Sequence, residues 1–318
     1  MPELPEVQTT TAGLDKELPY LFIKDVWTDL KSKDKRNKDS VKNPKYFEYF
    51  KKEVKGKRIL GATRRGKNIL IRLEGRKTIL IHMKMTGHLL FGKYSYDKKE
   101  NIWIPDKNQK NEALNDPFNR FIRVVFMLKD PKRAGNAGEM HLAFSDVRKF
   151  GKITLVDTST LSESIHLAHL GPEPLAKDFS TKDMAERLMK KPNGKIKTVL
   201  MDQSVIAGIG NIYSDEILWK AGIHPEEIVK NISAGELGAI YKAMKETLAQ
   251  GIDFGGDSMS DYRNIYGEKG SFQHKHNAYK RSGKPCNKKG CDGTIVRKSI
   301  GGRSAHFCPK HQKLKKKK

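Results

Sequence analysis

The chain has 318 residues, of which 37% are hydrophobic and 31% charged, and its formal net charge is +25. This length allows two or three domains, and the composition is typical of a globular protein with a heavily charged surface. The sequence has no apolar run of the ~20 residues that a membrane span needs and no secretory signal, and three cysteines do not make a disulfide framework. We therefore expect no membrane partner and a cytoplasmic or nuclear location.

The positive charge is concentrated in two stretches. Residues 275–318 contain 15 lysines or arginines and one acid, and residues 31–57 contain 11 bases and four acids. Neither stretch carries the apolar stripe of a helix that lies on a membrane surface. A polyphosphate partner such as a nucleic acid is therefore favoured over a merely solvated basic surface.

The first residues, MPELPEV, allow two interpretations. Chain ends are usually frayed, so this stretch could be a flexible tip or a turn that leads into a helix. If Met1 is removed, however, Pro2 becomes a secondary amine with Glu3 and Glu6 beside it, and such an amine is a candidate nucleophile. The remaining motifs must decide between the two.

Between residues 20 and 157 several short segments alternate apolar and polar side chains. They lie at 57–75, 77–94, 120–130 and 140–157, with glycine or aspartate between them. A period of two predicts antiparallel strands of a β-sandwich or barrel. The polar inserts at 31–44 and 94–119 are predicted to be long loops.

From residue 159 onward the pattern changes to helix. Apolar residues recur at three- and four-residue spacing in 181–190 and 233–250. Ser233 and Glu236 have the spacing of a capping box, which marks the start of the second of these helices.

The segment KIKTVLMDQSVIAGIGNIYSDEIL contains a predicted tight turn at Gly208 and Gly210. Asn211 is predicted to cap a following helix that ends near Ala221. A glycine turn before a helix presents backbone N–H groups to an anion, usually a phosphate, although the same turn also occurs for packing alone.

The C-terminal part has few core residues, so its cysteines are informative. Cys286, Cys291, Cys308 and His311 bracket the segment GTIVRKSIGGRSAHF, whose two alternating runs predict a β-hairpin. Two ligand pairs around a hairpin are typical of a tetrahedral site, and we predict one structural zinc ion there. His306 is a weaker candidate for the fourth ligand, and three free thiols in a basic tail are the alternative.

Four motifs, PELPEV, RRGKNIL, DQSVIAGIGNIYSDEI and GGRSAHFCPKHQ, resemble the formamidopyrimidine-DNA glycosylase family, which includes endonuclease VIII. They occur in the family's order and span nearly the whole chain. The resemblance implies an α+β multidomain fold with an N-terminal antiparallel β-sandwich (1–157) and a helix–two-turn–helix domain (158–251). A lesion-capping loop and a β-hairpin zinc finger with a basic tail would follow (252–318).

The resemblance also implies an activity. The enzyme would be a bifunctional DNA glycosylase and abasic-site lyase that excises oxidised purines, 8-oxoguanine and formamidopyrimidines, from double-stranded DNA and cleaves by β,δ-elimination. Pro2 would form a Schiff base with the sugar, and Glu3 would protonate or activate the opened sugar. Glu6 would support the site, and Lys67 would contact a phosphate and assist catalysis.

Further residues match DNA-contacting positions of the family. Phosphate contacts are implied for four of them: His82, Asn211, Tyr266 and Arg303. Three others would fill the hole that a flipped base leaves: Met85, Arg148 and Phe150. Without the resemblance, a strand histidine would be assigned a structural role, and methionine and phenylalanine on strands would be assigned to the core.

Two alternatives remain at this point. One is an enzyme of the endonuclease VIII type that acts on oxidised pyrimidines, and the other is a non-catalytic nucleic-acid-binding zinc protein that retains Met1. We expect a monomer in the cytoplasm, associated with the nucleoid, with the nucleus left open. The lysine-rich end of the chain is expected to tether the protein to DNA.

Overall fold

The computed structural model describes residues 1–109, 111–133 and 138–315. They divide into two compact units, Met1–Ala168 with Gly255–Ser271 and His169–Phe254 with Phe272–Lys318. The domain boundaries expected from the sequence stay predictions. The predicted DNA tether falls mainly on 316–318, outside the described residues.

The first unit begins with helix α1 (Leu4–Glu17), and α2 (Pro44–Val54) follows its first strand. Its strands, in chain order, are β1 (Phe22–Thr28), β2 (Ile59–Arg65), β3 (Asn68–Leu73), β4 (Lys77–His82), β5 (His88–Gly92), β6 (Tyr94–Asp97), β7 (Ile102–Pro105), β8 (Ile122–Lys129), β9 (Glu139–Ser145) and β10 (Lys152–Asp157).

Two four-stranded antiparallel sheets form a β-sandwich in this unit. Their strand orders are β1-β8-β9-β5 and β10-β4-β3-β2. Both sheets contribute alternate apolar side chains to one core, as with Ile69 of β3 and Phe126 of β8, and α1 adds Val7 and Leu14. The alternating pattern produces this arrangement because every second side chain of a strand points to the same face. The predicted β-sandwich is confirmed.

The prediction that residues 94–119 form only a loop is wrong. Strands β6 and β7 pair there as a two-stranded antiparallel sheet. Tyr96 lies opposite Trp103 in the register, and their ring centroids are 5.3 Å apart. Trp27 of β1 packs against both rings, so aromatic contacts stabilise a hairpin whose turn is highly charged.

The second unit contains the helices α3 (Thr181–Leu188), α4 (Ile196–Leu200), α5 (Asn211–Ala221) and α6 (Ala234–Asp253), followed by the hairpin strands β11 (Val296–Ile300) and β12 (Arg303–Phe307). The capping box of Ser233 and Glu236 is present at the start of α6. None of the helices among the described residues is both long enough and apolar enough to cross a membrane.

The predicted capping role of Asn211 is wrong. Gly210 occupies the N-cap position of α5, and Asn211 is the first helical residue. The glycine backbone turns the chain into the helix one residue earlier than expected, so the Asn211 side chain makes no cap hydrogen bond.

Candidate active site, DNA-contacting residues and metal centre

The start of α1 buries the three residues of the predicted catalytic centre. Pro2 is buried, and Glu3 and Glu6 are 2% and 1% exposed. The Glu6 carboxylate accepts the backbone N–H of Glu3 at 2.7 Å and that of Asp257 at 2.8 Å. The chain start is therefore fixed in the folded unit, and the interpretation as a frayed tip does not hold.

Two residues distant in sequence, Gly256 and Tyr262, contact Glu6. Gly256 has φ +86°, and a Cβ atom added to it would lie 2.8 Å from Cγ of Glu6, so only glycine fits. The Tyr262 hydroxyl donates to the backbone oxygen of Glu6 at 3.1 Å. Burial, with the Glu6 charge as a further cause, raises the pKa of Tyr262 above its usual range. These contacts to Glu6 were not predicted from the sequence, in which the Gly255-Gly256 pair was the one feature that could have indicated them.

Lys67 and His82 lie at one end of the second sheet. Lys67 follows Gly66 in the turn between β2 and β3 and is buried. His82 ends β4, and its Nδ1 accepts the backbone N–H of Lys84 at 3.0 Å. Burial and then the charges of Lys84 and Lys67 lower the pKa of His82 to about 3. The imidazole is therefore neutral near pH 7.

The three residues predicted to fill the base hole lie together on the surface. Met85 is 39% exposed and Phe150 is 49% exposed, so neither is a core residue. The Arg148 guanidinium lies 4.6 Å from the centroid of the Phe150 ring, and its Nη1 is 3.1 Å from Sδ of Met85. Loops 83–87 and 146–151 thus present one exposed cluster, here called the wedge, which consists of Met85, Arg148 and Phe150.

A buried carboxylate joins these two loops. Thr86 donates its hydroxyl to Asp146, which is 1% exposed, and the Gly151 N–H donates to the other carboxylate oxygen at 2.7 Å. The Thr86 hydroxyl in turn accepts the Arg148 N–H at 3.2 Å. Thr86 directly follows Met85 in the sequence and Asp146 precedes Arg148 by two residues, but only the folded chain shows that their side chains pair.

Tyr266 lies away from the other predicted residues of the first unit. Its hydroxyl donates to Oε1 of Glu17 at 2.8 Å, at the C-terminal end of α1. A helix of 14 residues is about 20 Å long, so this contact is far from Pro2. Burial, followed by the Glu17 carboxylate, raises the pKa of Tyr266 to about 12. A phosphate contact of Tyr266 stays a prediction.

In the second unit, Asn211 and Arg303 each follow a glycine turn. Gly208, with φ +94°, precedes α5, and Oδ1 of Asn211 is buried without a hydrogen-bond partner among the described residues. Gly301 and Gly302 both have positive φ, and the exposed Arg303 begins β12 directly after them. An unsatisfied buried amide oxygen and an exposed guanidinium leave polar groups available to a ligand.

The four predicted metal ligands form one cluster. Their ligand atoms all lie within 4.8 Å of one another, and the group could hold a metal ion. Sγ of Cys291 and Sγ of Cys308 are 3.7 Å apart, and Sγ of Cys286 and Nδ1 of His311 are 3.4 Å apart. Tetrahedral zinc with ordinary bond lengths requires about 3.8 Å between two sulfurs and about 3.5 Å between sulfur and nitrogen. The residues therefore fit zinc.

Neighbouring groups orient this cluster. Nε2 of His311 is 2.9 Å from the backbone oxygen of Trp219, whose indole N–H donates to Sγ of Cys286 at 3.3 Å. A hydrogen bond at Nε2 leaves Nδ1 free for a metal. His306 is not part of the cluster, because its Nδ1 faces the Asp215 carboxylate at 3.0 Å.

A β-sandwich, a helical domain and a hairpin with a Cys3His cluster together define the class of zinc-finger DNA-repair glycosylases. Family models for the formamidopyrimidine-DNA glycosylase N-terminal domain and H2TH domain match residues 1–153 and 170–263. The chain belongs to the formamidopyrimidine-DNA glycosylase family. The resemblance seen in the sequence is thus confirmed.

Individual relatives agree along the full length. The formamidopyrimidine-DNA glycosylases of Heliobacterium modesticaldum and Pelotomaculum thermopropionicum are 36% and 35% identical to this chain; the matches cover 98% and 99% of it and 100% of each relative. The Lactococcus lactis Fpg bound to DNA with an abasic site is 28% identical and has a TM-score of 0.78, with 98% of this chain and 99% of that chain covered. A mutant of the same protein bound to DNA with Fapy-dG is also 28% identical, with a TM-score of 0.78. This match covers 98% of this chain and 100% of that chain.

Proposed function

We propose that this protein is a monomeric base-excision-repair enzyme that removes oxidised purines from double-stranded DNA. Its substrates are 8-oxoguanine and formamidopyrimidines, and it cleaves the resulting abasic site by β,δ-elimination. The burial of Pro2, Glu3 and Glu6 together at the start of α1 carries this proposal. The Pro2 amine supplies the nucleophile and the neighbouring Glu3 carboxylate supplies the proton-transfer group that this chemistry needs.

The nucleophile is the Pro2 nitrogen, which becomes a secondary amine once Met1 is removed. Near pH 7 about 10% of an α-amino group is uncharged, against roughly 0.04% of a lysine. The neutral nitrogen attacks C1′ of the damaged nucleotide, the C1′–N bond to the base breaks, and the leaving base takes up the proton that the amine gives up. The C1′–O4′ bond then opens as O4′ is protonated, and C1′ becomes doubly bonded to the Pro2 nitrogen. Because the amine is secondary, the resulting iminium carries a permanent positive charge.

The iminium makes strand cleavage possible. It withdraws electrons from C2′, so a C2′ proton is lost to a base and the 3′ phosphate leaves. A second elimination then releases the 5′ phosphate and leaves a one-nucleoside gap. Glu3 protonates or activates the opened sugar. Both Glu6 oxygens already accept backbone N–H groups, so Glu6 supports the site without transferring protons.

The remaining residues hold the DNA. Lys67 and the neutral imidazole of His82 contact phosphates of the damaged strand, and the wedge fills the hole left by the flipped base. The exposed Phe150 ring supports this role, since an apolar surface can replace lost base stacking while a guanidinium reads the orphaned base. In the second unit, Asn211 and Arg303 contact further phosphates.

The cluster of Cys286, Cys291, Cys308 and His311 holds one Zn²⁺. When bound, zinc would cross-link the segments that carry these four residues and so stabilise the hairpin, as in structural zinc sites of small domains. The hairpin in turn holds Arg303 at its tip, where a planar guanidinium can bind a phosphate with two hydrogen bonds.

Borohydride trapping tests this function. Purified protein is mixed with a duplex that carries one 8-oxoguanine opposite cytosine, reduced with borohydride, digested and analysed by mass spectrometry. We expect a covalent adduct on Pro2. A variant with one alanine inserted before Pro2 is the matched control and should form no adduct on Pro2, because its proline nitrogen is part of a peptide bond.

Other outcomes would each change the conclusion. An adduct on Pro2 only with an oxidised pyrimidine would keep the mechanism and overturn the purine specificity, as expected of an endonuclease VIII-type enzyme. Protein whose intact mass confirms a free Pro2, but which forms no adduct with any lesion or abasic site, would be a non-catalytic DNA-binding zinc protein.

A further inference from the structure

The insert at residues 31–44 has no part in the function proposed above, yet it forms one wall of a large surface cavity. This cavity, of about 820 Å³, lies within the first unit, and Met85 and Phe150 of the wedge line its other side. Six basic side chains line it: Lys31, Arg36, Lys42, Lys84, Lys149 and Lys152.

Among the described residues, four of these six cations, Lys42 included, lack a carboxylate partner. Arg36 pairs with Asp34 at 2.5 Å, and Lys152 pairs with Asp39 at 2.8 Å. Within the described ranges, Lys31, Lys84 and Lys149 form no ion pair with an acid. Desolvation of the ammonium and the neighbouring charge of Lys152 lower the pKa of Lys84. An anion in the cavity would relieve this repulsion.

Two of the unpaired lysines are built into the wedge loops. Lys84 directly precedes Met85, and Lys149 stands between Arg148 and Phe150. Both have φ +56°, a left-handed conformation that residues other than glycine seldom adopt. Each loop therefore holds a lysine in an uncommon backbone conformation next to a residue that meets the DNA.

The insert is anchored to this side of the cavity. Lys42 is buried, and its Nζ donates to the backbone oxygen of Lys149 at 2.6 Å. The Asp39 carboxylate binds Lys152 and also lies 3.0 Å from Nε2 of His166. The Val41 N–H donates to the Ile153 oxygen at 3.1 Å. The basic wall is therefore held in place by hydrogen bonds and ion pairs.

We propose that this cavity binds backbone phosphates of the duplex beside the wedge, so that the insert at residues 31–44 is an additional DNA-contacting element. The proposal rests on the DNA binding included in the proposed function. Lysine contacts to phosphates position a protein on a duplex without reading its sequence, and each one releases counterions. Phosphate contacts next to the wedge would hold the DNA backbone in place while the damaged base is flipped out.

The salt dependence of binding tests the cavity. Full-length protein is titrated with an undamaged duplex at several salt concentrations, and the fluorescence anisotropy of the labelled DNA is followed. A variant with Lys31→Gln, Lys84→Gln and Lys149→Gln should reduce the slope of log K against log salt by about 2 to 3, since each phosphate contact contributes about 0.9. The control Lys98→Gln, Lys99→Gln, Lys129→Gln removes the same charge from exposed positions that do not line the cavity.

A reduction no larger than that of the control would overturn the proposal. The single variant Lys31→Gln, on the exposed insert, keeps the test valid if the triple variant folds poorly, and it should reduce the slope by about 1. A second arm places single methylphosphonates along both strands. At least one position should weaken binding of the wild type several-fold and leave the triple variant unaffected, and the absence of any such position would also contradict the proposal.

The outcome is separable from that of the catalytic proposal. Trapping on Pro2 at saturating protein should persist in the triple variant, because the cavity contributes to binding and not to the chemistry. If the wild type forms no adduct but the slope difference is present, the glycosylase proposal fails and the cavity stands. If the adduct forms and the slopes agree, only the cavity fails.

Discussion

Nζ of Lys197 lies 2.5 Å from Oδ1 of Asp215, and both side chains are fully buried. The other Asp215 oxygen accepts the backbone N–H of His306 at 2.9 Å. The Lys197 ammonium also lies 3.4 Å from the backbone oxygen of Asn211. One carboxylate thus connects α4, the start of α5 and the strand that begins with Arg303, so the two predicted phosphate contacts of the second unit share one anchor.

Replacing this anchor should destabilise the second unit strongly. Asp215→Asn leaves the buried ammonium of Lys197 without a counter-charge, and breaking a buried pair in this way costs about 3–5 kcal/mol of the free energy of unfolding. Urea denaturation followed by circular dichroism measures the loss. Glu246→Gln is the matched control, because its pair with Lys220 is about 40% exposed on both sides, and exposed pairs contribute at most ~1 kcal/mol.

Removal of both charges of the Lys197–Asp215 pair provides a second check of its role. Lys197→Met combined with Asp215→Leu removes both charges, so the double variant should be more stable than Asp215→Asn alone. If Asp215→Asn costs no more than Glu246→Gln, the ion pair does not hold these elements together. DNA affinity should fall in Asp215→Asn even at temperatures where the variant remains folded, because Asn211 and Arg303 lose their common support.

The fold was predictable where a local pattern decides the structure. Alternation predicted the sandwich strands, and the Ser233–Glu236 spacing marked the start of α6. Helix α2 was missed because its start, capped by the Asn43 side chain, follows a polar insert that looked like loop. The β6–β7 sheet was missed because its stability comes from Trp27, which is far away in the sequence.

The site was predictable only in its motif residues. The cysteine spacing predicted the four residues whose ligand atoms cluster, and the resemblance predicted the three wedge residues, which the fold brings together. Pro2 was a candidate nucleophile from the first residues alone, and its role stays a prediction. The groups that position these residues lie far along the chain: Asp257 is 251 residues from Glu6, and His306 is 91 residues from Asp215. No spacing rule connects such pairs, since only the folded chain brings them together.

Removal of the metal should unfold the hairpin. Apart from the metal ligands, the hairpin has a small core of Ile300, Ala305 and Phe307, which is too little to stabilise a segment of this size. We expect one zinc per chain by elemental analysis and a large loss in His311→Ala. Thermal unfolding should shift downward in that variant and in chelator-treated wild type.

His274→Ala is the control for the zinc experiment, because this histidine is exposed and lies outside the cluster. It should keep the full zinc content and the wild-type melting temperature. Full zinc content in His311→Ala would show that the four ligands do not act as one site.

Loss of the wedge should slow the excision of a stacked base strongly and the cleavage of a duplex that already lacks the base much less. Phe150→Ala removes the exposed ring that replaces base stacking, and an unstacking cost of a few kcal/mol corresponds to a 10- to 100-fold slower excision. Single-turnover excision of 8-oxoguanine paired with cytosine measures this rate. Cleavage of a duplex that already contains an abasic site should slow by less than about threefold, since no base has to leave the stack.

Ile165→Ala is the matched control for the wedge, because Ile165 is an exposed apolar side chain of the same unit outside the wedge loops. It should leave both rates unchanged. Equal slowing of excision and abasic-site cleavage by Phe150→Ala would assign the ring to binding in general and not to base flipping.

His141 should make the first unit sensitive to acid. Burial lowers its pKa to about 4, against 6.5 for the free side chain. The unfolded chain therefore binds a proton between pH 6.5 and 4 that the folded chain excludes, so stability falls as the pH is lowered through this window. The shift corresponds to about 2–3 kcal/mol after allowance for partial exposure.

His141→Gln should remove the part of the acid-induced loss that His141 causes, because glutamine stays uncharged and its amide oxygen can still accept the Tyr94 N–H that Nδ1 of His141 accepts at 3.2 Å. The part that follows from the lowered pKa of His82 should remain. The measurement is the free energy of unfolding by urea at pH 7 and at pH 4.5, for the variant and the wild type. The exposed His274→Gln serves as the control and should retain the wild-type difference between the two pH values. If the His141→Gln variant loses as much stability as the wild type, protonation of His141 does not lower the free energy of unfolding.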